Sequence, residues 1–197
     1  MQINELFPAL APVVFAFDKI GILYYIGGSI SSSIHGIPRT TMDIDIIADI
    51  KMEHVEALYL LLEPAYYIDK DMIREAIRHQ SSFNLIHFDS MMKIDVFVLK
   101  KREFDREAFK RKKLDVQNIE GSRFEYYISS PEDIILSKLE WYKMGGEVSE
   151  RQWRDIIGVL KVQENNLDME YLQKWIDRLQ LSDLWKKLLD EKSEAPS

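Results

Sequence analysis

The sequence predicts an α+β fold: a mixed β-sheet core flanked by helices, followed by a C-terminal helical region. Three observations carry that prediction. Short runs rich in β-branched and aromatic residues ("ILYYI", "DIDIIADI", "KIDVFVL", "RFEYYIS") alternate with helical patterns as far as about residue 129. Beyond Ser130 no such run recurs, and helical patterns follow one another. An apolar share of 46% with four tryptophans in 197 residues is enough to build a real core.

Taken in order, Leu6, Leu10, Val14 and Phe17 recur at helical spacing and predict an amphipathic first helix. "GILYYIGG" reads as a buried strand ending in glycines. "SISSSIHG" reads as a short helix capped by Ser29 and stopped by Gly36. "MDIDIIADI" is a second strand, "MEHVEALYLLLE" a helix, and "YYIDKDMIREAIRHQ" an extended piece leading into another helix. "SSFNLIHF" and "KIDVFVL", joined through "DSMM", predict a β-hairpin. A basic helix and two strands around Glu120-Gly121 complete the core.

At Ser130 the start signal is strong. Ser130 is a cap, Pro131 suits the first turn, and Glu132 and Asp133 favour the helix dipole. That helix closes on Gly145-Gly146, and three more follow. The expected organisation is a core over 1–129, a helical domain over 130–192 that completes the site, and a flexible tail over 193–197.

Composition excludes several classes. With no cysteine there is neither a disulfide framework nor a thiolate zinc site, and a reducing cytoplasm is the expected location. "LFPALAPVVFAF" is preceded by Glu5 where a leader would carry positive charge, and it is too short to span a bilayer; no membrane partner is expected. The net charge of −7 opposes wholesale coating of nucleic acid. From Lys100 to Lys113, however, eight cations face three carboxylates, either a solvated helix face or a landing strip for phosphates.

The chemistry concentrates in "GGSISSSIHGIPRTTMDIDI". Asp43 and Asp45 are two apart on a strand, so both side chains leave one face while Ile44 and Ile46 leave the other. Like charges that close repel, and a divalent cation with a preference for hard oxygen ligands turns the liability into a site. Asp95 stands in the otherwise apolar "KIDVFVL"; beside the Asp43 strand it would bring three carboxylates together, a set suited to phosphoryl displacement. Gly27-Gly28-Ser29 lies between strand and helix, where bare backbone amides and a helix start favour phosphate oxygens.

These residues, with "KIDVFV", resemble the polymerase-beta-like nucleotidyltransferase superfamily, whose pattern is a Gly-Ser turn, an Asp-x-Asp pair and a third acid on a later strand. The resemblance implies that Gly28 and Ser29 contact a nucleoside triphosphate, that Asp43 and Asp45 hold Mg²⁺ (or Mn²⁺), and that Asp95 helps ligate metal and activate the attacking group. "PRTTMDIDI" with "SPEDIILSKLEWY" and "RQWRDIIGVL" is more narrowly similar to the AbiEii-type nucleotidyltransferases, which include toxins of toxin–antitoxin systems. That similarity implies roles for Arg39, Thr41, Lys138, Arg154 and Asp155, with Lys138 approaching the phosphates and Asp155 a further acid. It favours an RNA acceptor, transfer RNA included, and a possible antitoxin partner. Read from spacing alone, Lys138 is a solvated helix residue and Asp155 pairs with Arg151. A small cationic acceptor, as in aminoglycoside nucleotidyltransferases, fits the acidic first hundred residues, where 8 basic face 13 acidic side chains. Protein as acceptor, and a non-catalytic nucleotide-binding module, are further readings.

Overall fold

The computed structural model describes residues 3–41, 43–119 and 121–194. The expected strand's Met42, the turn's Glu120 and the last three residues of the expected tail lie outside the described residues. The chain divides into two compact units: residues 1–30 with 39–129, and residues 31–38 with 130–197.

The first unit is built on a mixed seven-stranded sheet. Its strands are β1 (Tyr24–Ile26), β2 (Asp43–Ala48), β3 (Tyr66–Tyr67), β4 (Ser82–His87), β5 (Lys93–Val98), β6 (Lys113–Ile119) and β7 (Ser122–Ile128), in the spatial order β3-β4-β5-β2-β1-β7-β6. β2 runs antiparallel to β1 and parallel to β5, while β4 and β5 form the expected hairpin. Helices α1 (Ile3–Ile20), α3 (Val55–Leu62), α4 (Lys70–His79) and α5 (Glu103–Lys110) belong to this unit, and α2 (Gly28–His35) starts in it.

Alternation explains how the sheet is covered. Ile44, Ile46 and Ala48 of β2, Ile94, Val96 and Val98 of β5, and Phe83 and Leu85 of β4 are all buried. They share one core with Leu10, Val13 and Phe17 of α1, Leu58 and Leu62 of α3 and Ile73 of α4. Burying so many branched side chains on one face fixes the register, because a one-residue slip would turn every one of them outward. The opposite face of β2 and β5, carrying Asp43, Asp45, Lys93 and Asp95, is half-buried to exposed.

The second unit is helical. α6 (Pro131–Met144), α7 (Glu150–Gln163), α8 (Met169–Arg178) and α9 (Ser182–Glu194) pack around Leu139, Ile156, Leu172, Trp175 and Leu188. α6 starts as its sequence predicts: Ser130 accepts from the Asp133 amide at 3.1 Å, and Pro131 occupies the first turn. α9 continues through Glu194, so the first two residues of the expected tail are helical.

Residues 31–38 join this unit because the end of α2 meets α7 backbone against backbone. A Cβ on Gly36 would stand 2.7 Å from the Val159 amide nitrogen and 2.8 Å from the Gly158 carbonyl carbon. Gln163 donates to the His35 carbonyl at 2.8 Å, satisfying one of the open carbonyls at that helix end. Gly36 therefore serves close packing as well as stopping the helix.

Candidate active site

Strand register does the first part of the assembly. β2 and β5 pair residue for residue, with Asp43 opposite Lys93 and Asp45 opposite Asp95. The three aspartates predicted to act together thus lie on one face of two neighbouring parallel strands. Asn84 of β4 continues the row beyond Asp95.

The glycine turn does the second part. The Gly27 amide donates to the Asp45 carbonyl at 2.9 Å, tying the turn to the Asp-x-Asp strand. Gly28 has φ +52°, and a Cβ there would fall 1.7 Å from Asp45 Oδ2. Only glycine satisfies both conditions. The first turn of α2 is consequently pressed against the Asp45 carboxylate.

α2 begins at Gly28, one residue earlier than the cap expected at Ser29. The Ser29 side chain is buried and accepts from Arg39 Nη2 at 2.5 Å, which brings a guanidinium to the helix start. A helix start with an adjacent Arg is an anion-favouring arrangement. Thr41 turns inward instead, its hydroxyl donating to the Asp43 carbonyl at 3.2 Å. That bond shapes the approach to β2.

Sequence reasoning missed Lys93. Its ammonium lies 2.7 Å from Asp95 Oδ2. The hydrogen bond to Asp95 raises its pKa above the ordinary lysine value; burial is the next largest influence and opposes the rise, and the charges of Asp95, Asp43 and Asp45 add to it. The period-two argument that paired Asp43 with Asp45 also puts Lys93 and Asp95 on one face, so "KID" held the signal.

Lys138 and Asp155 come together in the second unit, not as separate solvated residues. Lys138 Nζ donates to Asp155 Oδ2 at 2.9 Å, and both side chains are buried. Arg154 pairs with Glu150 on the exposed side of α7.

The divalent cation expected from the sequence would meet a donor set that suits one. Three hard-oxygen carboxylates share a face, the Asp45 carboxylate fills the space a Cβ on Gly28 would take, and Lys93 stands in as a cation beside Asp95. Among the described residues, no three acidic, histidine or cysteine side chains are gathered into a ready-made metal cage.

Comparison with known proteins bears on the fold. Neither a protein-family model nor a curated protein sequence matches the chain. Among solved structures it is similar to the antibiotic-resistance factor ANT(2'')-Ia in complex with adenylyl-2''-tobramycin, with TM-score 0.56 and 13% identity over 89% of this chain and 97% of that one. The solution structure of the same factor gives TM-score 0.54 and 12% identity over 98% of each chain. A candidate nucleotidyltransferase of Thermotoga maritima gives TM-score 0.50 and 15% identity over 79% of this chain and 96% of that one. The chain shares the nucleotidyltransferase fold with these proteins. Among the described residues no helix is long and apolar enough to cross a membrane.

Proposed function

We propose that the protein transfers a nucleoside monophosphate from a nucleoside triphosphate to an acceptor hydroxyl. One observation carries this reading: the Gly28 backbone at the start of α2 lies directly against the Asp45 carboxylate. That closeness supports the reading, because transfer at a phosphate needs phosphate-binding amides and a metal-binding carboxylate side by side.

In this reading Gly27, Gly28 and Ser29, with Arg39, receive the triphosphate, and Asp43, Asp45 and Asp95 hold Mg²⁺ or Mn²⁺. The bound cation would neutralise charge and polarise phosphoryl oxygens. The acceptor oxygen forms a bond to the α-phosphorus, the bond from that phosphorus to the α,β-bridging oxygen breaks, and pyrophosphate leaves. Asp95 takes the hydroxyl proton. The Arg39 guanidinium offsets charge accumulating on the leaving phosphates, the preorganised electrostatics on which such reactions depend.

For the acceptor, a small cationic molecule is the preferred reading. The similar fold of ANT(2'')-Ia, solved with an adenylylated tobramycin, and the acidic balance of the first hundred residues support it. RNA is the second reading, and with it an AbiEii-type toxin role and an antitoxin partner; the basic stretch from Lys100 to Lys113 favours it. Several of those cations have local partners, however. Arg102 pairs with Asp105 at 2.5 Å, Lys110 with Glu107 at 3.5 Å, and Lys112 lies over the Phe109 and Tyr127 rings.

Lys138 and Asp155, expected in the sequence to serve the phosphates and the chemistry, are proposed first as a structural pair of the helical unit. Any catalytic share must appear as lost transfer beyond lost folding.

The test uses α-labelled nucleoside triphosphates with Mg²⁺, offered an aminoglycoside panel and total RNA separately. The expected result is label on an acceptor with matching pyrophosphate release, reduced at least about a thousandfold in Asp45→Asn. Unchanged transfer in that variant would sink the assignment. RNase-sensitive label would replace the small acceptor with RNA.

A further inference from the structure

Three carboxylates facing one way repel one another, weakly on so wet a face, and a cation among them offsets that repulsion. This chain supplies a cation of its own. Lys93 comes from the same strand and face as Asp95, its ammonium 2.7 Å from Asp95 Oδ2. It sits opposite Asp43 in the β2–β5 register, and the charges of all three aspartates reach it.

A lysine in this position does two things to a divalent ion. It occupies one of the ligands, and its charge repels a second cation at short range. It is also free to leave, because its side chain is 43% exposed and that of Asp95 22% exposed. Pairs this wet are held by well under a few kcal/mol, so a better-placed competitor can separate them. A triphosphate carries negative oxygens that can receive the displaced ammonium, whereas a free metal ion brings none.

We propose that Lys93 is the internal counter-cation of this site, suppressing binding of free divalent metal and yielding Asp95 only when metal arrives with a nucleotide. The proposal rests on the nucleotide-transfer reading above and assigns that site an order of filling. Lys93 is a positioning residue here, acting through Asp95.

The experiment titrates Mn²⁺ into the full chain and follows free Mn²⁺ by electron paramagnetic resonance, with and without a non-hydrolysable ATP analogue. Native protein, Lys93→Met, Lys93→Gln and Asp45→Asn are compared, and circular dichroism verifies that each variant folds. The expected result is Mn²⁺ bound about tenfold more tightly by Lys93→Met and Lys93→Gln without nucleotide, the usual effect of one neighbouring charge. The analogue should then improve Mn²⁺ binding less in these variants than in native protein, and Asp45→Asn should bind Mn²⁺ weakly throughout. Unchanged or weakened Mn²⁺ affinity in both folded Lys93 variants, with native protein still binding Mn²⁺ and analogue, would overturn the proposal and leave the transfer reading standing. Absence of Mn²⁺ binding in every protein, analogue included, would overturn both.

Discussion

Two lysine–aspartate pairs, one in each unit, have nearly the same length and opposite settings. Lys138 and Asp155 meet at 2.9 Å with side chains only 10% and 6% exposed, among Leu139, Ile156 and their neighbours on α6 and α7. Lys93 and Asp95 meet at 2.7 Å on an open sheet face, several times more exposed. In the first pair each charge has given up most of its water, so the loss of either partner removes a close counter-charge from an ion inside the protein. In the second, water can replace either partner at small cost. The buried pair holds structure, while the exposed pair can exchange its cation. The distance between charges is a poor guide to which is which; hydration decides.

The strongest way to break this comparison is to truncate the buried lysine. Lys138→Met should cost about 3–5 kcal/mol of stability, measured by denaturant unfolding, because buried Asp155 then loses its lysine. The double variant Lys138→Met/Asp155→Leu should recover most of that loss. If Lys138→Met unfolds like native protein yet transfers poorly, the pair belongs to the chemistry after all.

Next in size is Gly28→Ala. The added Cβ must displace the Asp45 carboxylate from 1.7 Å, and it occupies a positive-φ position. A stability loss of roughly 1–3 kcal/mol is expected. Transfer should fall much further than stability, since the displaced group is a proposed metal ligand. Parallel unfolding and transfer assays separate the two effects.

The smallest effect belongs to the exposed pair. Lys93→Met should change unfolding stability by no more than about 0.5 kcal/mol, as for other solvated ion pairs. The same variant should alter metal binding strongly. A large stability loss would place Lys93 in the structural class with Lys138 and erase the contrast.

Much of the site was legible because strand periodicity is strict. "MDIDIIADI" and "KIDVFVL" each keep one face wholly apolar and put every charged residue on the other, and burial of the apolar face makes that choice unambiguous. The adjacency of β2 and β5 was a condition of the sequence reading, and their parallel register meets it, with Asp45 beside Asp95. Lys93 was overlooked although the same periodicity applied, because a lysine at a strand start normally reads as solvated. The partnership of Lys138 with Asp155 was illegible for another reason. It depends on how α6 and α7 cross, a tertiary contact that local spacing does not encode, and spacing pointed to Arg151 instead. The transfer of residues 31–38 to the helical unit depends likewise on Gly36 meeting Gly158, more than a hundred residues away.

The most direct test of nucleotidyl transfer at the Asp43–Asp45–Asp95 face is pyrophosphate release from ATP in the presence of Mg²⁺ and an acceptor panel, for native protein and for Asp43→Asn and Asp45→Asn. Release that tracks acceptor labelling and disappears in both folded variants is the predicted result. Release that persists in either variant at the native rate would contradict it.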